Sequence, residues 1–285
     1  MSGRGVAIDC QSPRQPPVAY RLYLPEQWAA DDERRRKTGV PEDIRFRTKP
    51  EIALEQIRAA SAAGLPLGVV LMDAGYGCNT ELRSSISALG LTYVAGILPN
   101  TTVWAPGMAP LHPKTWSGRG RPPKLIRRDR NHRPTSVKKL ALGLPAKAWR
   151  KIAWREGSAE QLSSRFARLR IRVAHRDYNL TKSRPEEWLL IEWPKGETEP
   201  TKYWFSTLPQ NIAFGNLVDL TKLRWRIERD YQELKQEVGL AFRRTRMARF
   251  PPSRHTLHCG LRILDLREGD DSPLSTSFHH DVPGG

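Results

Sequence analysis

The apolar positions in the first third of the chain switch between two periods. Ile52, Ala53, Ile57 and Ala60 recur at helical spacing within 50–63, with Pro50 at the start and Gly64 at the end, which predicts an α-helix. The next run, GVVLMD at 68–73, is continuously apolar and closed by a carboxylate, the pattern of a strand buried on both faces. Asn79 is placed to cap a second helix in which Leu82, Ile86 and Leu89 share a face; Gly90 stops it, and LTYVAGIL (91–98) reads as the next strand. This α-β-α-β order predicts an α/β core. Upstream, VAYRLYL (18–24) alternates and predicts a strand closed by Pro25, followed by a charged linker, DDERRRK, at 31–37.

The pattern then breaks. Over 112–155 there are fourteen Lys or Arg and a single acid, Asp129, with Gly and Pro clustered in WSGRGRPPK, so a basic loop followed by a short helix is expected. Residues 165–174, 187–193 and 201–207 read as antiparallel strands, a β-rich insertion into the α/β order. A long amphipathic helix is expected from about Val218 to Val238, with Gly239 as its C-cap. Beyond Leu240 the periodicity is lost apart from an apolar stretch at 257–266, and the tail is expected to pack poorly.

Charge changes this picture. The 47 Lys+Arg exceed the 30 Asp+Glu, a formal net charge of +17, and an excess of that size calls for a polyanionic partner such as nucleic acid. No apolar run approaches the ~18 residues of a membrane span. The first residues lack the apolar core of a secretory signal, so no membrane and a cytoplasmic location are expected. Cys10, Cys78 and Cys259 are isolated and form no C-x-x-C pair, which argues against a disulfide framework or a thiolate zinc site.

Two carboxylates stand out. Asp73 ends a buried strand, where open α/β sheets present catalytic groups, although a strand-end Asp that merely starts a turn is the commoner case. In 220–238 the side chains Leu220, Leu223, Ile227, Tyr231, Leu234 and Val238 form one stripe at ~100° per residue. By the same geometry Arg224, Glu228 and Lys235 fall along the border of that stripe, while Asp230, Glu233 and Glu237 lie on the far side. A surface helix laced with ion pairs such as Arg224 with Glu228 accounts for the same pattern.

The run LRWRIERDYQELKQEVGL resembles the glutamate helix of DDE transposases of the insertion-sequence type, whose signature is Tyr-x2-Arg-x3-Glu-x6-Lys. Arg224, Glu228 and Lys235 match three of its places, whereas Thr221 stands where the Tyr would be. GVVLMDAGYG is similar to the strand and turn that bear the family's second aspartate, at Asp73; VAYRLYLPEQW and GILPNTTVW are similar to sheet segments of these enzymes.

The resemblance implies an α/β, ribonuclease H-like core at 18–109, a basic loop and β-rich insertion at 110–207, and a glutamate helix at 208–240 that completes the core. It implies unrelated ends at 1–17 and 241–285, and a chain truncated or frame-shifted at both ends, with the first strands of the core missing. Asp73 and Glu228 become catalytic and metal-binding groups for Mg²⁺ or Mn²⁺, and Arg224 and Lys235 become phosphate contacts. The family's third carboxylate has no clear counterpart, since Asp9 lies too close to 18–24.

DNA is the implied partner, with a homo-oligomer possible. Arg119, Arg121, Lys124, Arg127, Arg128 and Arg130 are the expected DNA-contacting residues of the loop, beside Trp104 and Trp116 as stacking groups. Trp149, Trp154, Trp188, Trp193 and Trp204 are expected in the core of the insertion. The activity the resemblance implies for a complete enzyme is metal-dependent DNA strand cleavage and transfer during transposition, and without the first catalytic aspartate this chain is expected to be inactive or weak in cleavage; a DNA-binding protein without chemistry and a ribonuclease H-fold nuclease stay open beside it.

Overall fold

The structure, a computed structural model, describes residues 21, 23–42, 44–65, 68–154 and 161–224, together with the backbone of 263–265. Two short helices come first, α1 (Glu26–Ala29) and α2 (Asp32–Thr38). The segment 31–37 is therefore helical rather than a linker: Asp31 accepts the Arg34 N–H, Gly39 closes the helix at φ 66°, and Lys37 pairs with Glu33 at 2.6 Å one turn away.

The strand expected at 18–24 is absent at Arg21 and at residues 23–24, and its remaining residues lie outside those described. Other contacts hold this segment. Arg21 donates to Glu55 at 2.6 Å, Leu24 is buried, and Pro25 starts α1.

The α-β-α-β order of 50–98 is observed. Helix α3 (Lys49–Ala62) begins with a capping box in which Thr48 and Glu51 satisfy each other's backbone N–H groups. It leads to β1 (Gly68–Met72), whose five residues are all buried. The turn helix α4 (Ala74–Gly77) and helix α5 (Thr80–Ala88) follow, the latter capped by Asn79, whose side chain accepts the Leu82 N–H at 2.8 Å. Strand β2 (Thr92–Ile97) then pairs parallel to β1.

Beyond β2 come β3 (Thr102–Trp104), β4 (Thr135–Ser136), α6 (Val137–Leu142), β5 (Arg150–Trp154), β6 (Leu162–Val173), β7 (Glu187–Trp193), β8 (Lys202–Ser206) and α7 (Phe214–Lys222). The three expected antiparallel strands appear as β6, β7 and β8. They join the same sheet as the α/β part: β8 pairs with β2, so the order runs β4-β3-β6-β7-β8-β2-β1, with β5 lying beside the first half of β6. On the far side of β1 runs β9 (Ile263–Asp265), antiparallel, which falls within the apolar stretch at 257–266.

Both faces of the sheet are covered. Val70 and Met72 of β1 meet Ile57 of α3 and Leu82 and Ile86 of α5, in a cluster that also takes in Val137 and Ala141 of α6. Val69 and Leu71 face the other way, into a cluster with Leu217, Val218, Leu220 and Leu223 of the α7 segment and with Trp154, Phe166 and Trp188. Trp154 and Trp188 are thus core residues, as expected, while Trp149, Trp193 and Trp204 are half-buried at its margin. The stripe predicted for the long helix is seen at Leu220 and Leu223; its continuation beyond Arg224 lies outside the described residues.

A buried ion pair fastens α7 to the sheet. Lys222 reaches Glu192 of β7 at 2.7 Å, their side chains 10% and 3% exposed, and its ammonium sits over the rings of Trp154, Phe166 and Trp204. Removing one partner strands a charge in this aromatic surround, so Glu192→Ala is expected to lower unfolding free energy in urea by about 3–5 kcal/mol. The double substitution Glu192→Leu with Lys222→Met should recover most of that loss.

Candidate active site and basic surface

The end of β1 is set by glycines. A Cβ on Gly77 would lie 2.1 Å from the Gly96 carbonyl oxygen, and a Cβ on Gly96 would lie 3.0 Å from the Ala74 nitrogen. The AGYG turn therefore rests directly on the backbone of β2, which only glycine at both places permits. Asp73 leads into this turn exposed to solvent, and its Oδ1 accepts the Tyr76 N–H at 3.2 Å. That bond orients the carboxylate while leaving lone pairs of a hard oxygen ligand available, the chemistry Mg²⁺ or Mn²⁺ requires.

Of the two expected catalytic carboxylates, Asp73 is the one among the described residues. Glu228 and Lys235 lie outside the described residues, as does Asp9. Arg224 is half-buried just beyond α7. Thr221, at the place of the signature Tyr, is buried and donates its hydroxyl to the Leu217 carbonyl at 2.7 Å, so it faces the helix backbone rather than a ligand. Among the described residues no three His, Cys, Asp or Glu side chains gather as a metal cluster.

Behind the Asp73 turn lies a polar group that the sequence pattern does not reveal. Arg83, in α5, is buried over the Phe205 ring; it donates to the Gly77 carbonyl inside the turn and to Thr80 Oγ1 at 3.3 Å. Near it the Tyr93 hydroxyl donates to Glu187 at 2.6 Å, both side chains being buried. Burial pushes the Glu187 carboxyl up despite the Tyr93 hydrogen bond and the charges of Arg83, Arg184 and Arg170; burial and the adjacent Glu187 likewise push the Tyr93 phenol up. Helical spacing marks Arg83 only as one more charged residue beside Leu82, so nothing in the pattern singles it out.

The basic loop divides in two. Arg119, Arg121, Lys124 and Arg130 are exposed, as expected of DNA contacts. Arg127 is half-buried and donates to the His112 carbonyl at 3.1 Å. Arg128 is committed to the protein: it pairs with the buried Asp177 and lies over the rings of Trp104 and Tyr178. Trp104 is corrected from stacking group to core residue, fully buried, with its Nε1 donating to Asp177 at 2.6 Å. The reason is its place on β3, paired with β6 under the loop. Trp116 is 51% exposed.

Two outcomes follow from this geometry. Because folding raises the Glu187 pKa above its ordinary 4.5, its contribution to stability is complete below that pH and is lost as pH rises through the folded value. Unfolding free energy should therefore fall as pH is raised from 4.5, and Glu187→Gln, which keeps an acceptor for Tyr93, should flatten that slope. Gly77→Ala forces a methyl against the Gly96 carbonyl and should cost about 1–3 kcal/mol in thermal or urea unfolding.

The geometry at β1 meets an independent finding. A family model described as a DDE superfamily endonuclease matches residues 12–161, more than half of the 285, a stretch that holds Asp73 and the basic loop. DDE endonucleases act on DNA and typically use divalent metal ions. A comparison with curated proteins finds no match. No helix among the described residues is long and apolar enough to cross a membrane. With an α/β sheet that presents an exposed aspartate at the end of a strand buried along its whole length, and a family match across that strand, the chain belongs to the DDE superfamily endonucleases.

Proposed function

We propose that this protein is a transposase of the insertion-sequence type that cleaves and transfers DNA strands with Mg²⁺ or Mn²⁺. The observation that carries the reading is Asp73, an exposed carboxylate held by its own turn at the carboxyl end of a strand buried along its whole length. Strand polarity supports a partner for it. β7 runs in the direction of β1 and β2, and α7 is fastened by Lys222 near the carboxyl end of β7, on the sheet edge at which Asp73 stands; Glu228 follows Lys222 by six residues in the sequence, which supports pairing it with Asp73.

In this reading Asp73 and Glu228 hold the metal, and a third carboxylate is outside the residues assigned. A divalent cation bound there supplies Lewis-acid stabilisation of the charge that builds on the scissile phosphate. Asp73, tied to the Tyr76 N–H, keeps one orientation as that charge develops. Arg224 and Lys235 seat the neighbouring phosphates, and Arg119, Arg121, Lys124 and Arg130 hold DNA away from the cut. The domain division proposed is a core at 18–109, an insertion at 110–207 that extends the same sheet, and the glutamate helix at 208–240.

The test pairs binding with cleavage. Binding of a fluorescent duplex should weaken steeply with salt. Replacing Arg119, Arg121, Lys124 and Arg130 by Gln should flatten the plot of log affinity against log salt by about 0.9 for each cation–phosphate pairing removed. Strand cleavage with Mg²⁺ or Mn²⁺ should fall by about 10²-fold or more in Asp73→Asn, the scale on which one electrostatic contributor to a transition state is felt. Salt-sensitive binding without metal-dependent cleavage would make the protein a DNA-binding module, and salt-insensitive binding would sink the DNA reading altogether.

A further inference from the structure

Strand β6 carries Arg168, Arg170 and Arg172 at alternate positions, so all three project from one face of the sheet, the face on which Phe166 meets α7. Arg150 of β5 stands opposite Phe166 in the register and shares that face. Alternate residues on a strand are about 6.8 Å apart, comparable with the separation of successive phosphates along a nucleic-acid strand.

The row is held in place without being neutralised. Arg168 donates to the Ile212 carbonyl at 2.7 Å, Arg170 to the Glu186 carbonyl at 2.5 Å and Arg172 to the Arg184 carbonyl at 2.8 Å. Arg168 and Arg170 also lie over the Trp188 ring, at 4.6 and 5.0 Å. Carbonyls and rings orient a guanidinium and carry no net charge. Among the described residues the ion pair that touches the row is Arg172 with Glu186, at 3.2 Å; the other carboxylate whose charge Arg170 feels, Glu187, is pushed toward its neutral form by burial. Burial, and then the charge of Arg150, hold the Arg168 guanidinium below its usual range, and an incoming anion offsets the second of these.

The row also runs on into the basic loop. The chain leaving β6 anchors that loop, through Ile126 N–H to the Leu180 carbonyl and through Arg128 to Asp177.

We infer that Arg150, Arg168, Arg170 and Arg172 form a second DNA-backbone contact surface, distinct from the strand-end site at Asp73 and continuous with the basic loop. This rests on the proposed action on DNA. Preorganised, planar donors at regular spacing fit phosphates, which accept two guanidinium hydrogen bonds at once. The surface reads charge and spacing rather than bases, so it positions a duplex without selecting its sequence.

The experiment uses the full chain, a fluorescent mixed-sequence duplex and stepped salt. The triple variant Arg150→Gln, Arg170→Gln, Arg172→Gln should weaken binding at least tenfold and reduce the salt slope by about 0.9 for each arginine–phosphate pairing removed, whereas the triple Lys variant should keep most of the slope. Urea midpoints show whether each variant folds. If the Gln triple unfolds, Arg150→Gln alone decides, since that side chain is exposed: it should lower the slope by about 0.9, and an unchanged slope overturns the inference.

A folded Gln triple with unaltered affinity and slope, beside a loop variant that loses both, overturns the second surface and leaves the DNA reading standing. Wild-type binding that ignores salt overturns both. Polyglutamate competing as well as DNA at equal charge overturns DNA as the occupant in favour of an acidic protein.

Discussion

β1 is covered on both faces by apolar side chains and hydrogen-bonded along both edges, by β2 and by β9. A strand in that situation has no face on which to carry a charge, because an unpaired buried carboxylate costs several kcal/mol. The first polar side chain the chain can present is therefore at the strand's end, and Asp73 is that residue. Its exposure follows from the burial of Gly68 to Met72. The glycines of the turn act on the same point: with Gly77 against Gly96, the chain reverses in the least space and sets the aspartate at the lip of the sheet rather than out on a loop.

The rest of the sheet is organised by charges placed inside it and paired there. Lys222 with Glu192 fixes α7, Arg128 with Asp177 fixes the basic loop against the end of β6, and Arg83 with the Gly77 carbonyl fixes the turn after Asp73. Each is costly to desolvate and weak as a net source of stability, but each is also costly to break, so it selects one arrangement of segments over its neighbours. The loop is the clearest case. It carries a large excess of cations, yet one of them is withdrawn from solvent to anchor it while Arg119, Arg121, Lys124 and Arg130 stay outside.

The hydrophobic pattern alone determined the helix over 50–63, the buried strand before Asp73, the helix capped by Asn79, the strand at 91–98 and the three antiparallel strands, because each buries a face with a period local to its own residues. The exposed position of Asp73 was legible for the same reason. What tertiary structure decided is what depends on pairing across long separations. That β8 would lie beside β2, that residues 263–265 would cover the edge of β1, and that Trp104 would be buried against Asp177 rather than offered to a base are set by partners more than seventy residues away in sequence, which leave no local period. The arginine row of β6 lies between these cases: its alternation is written in the sequence, but whether that face was core or surface depended on how much of the sheet α7 covers, and only the packed structure shows the guanidiniums held by carbonyls beside it.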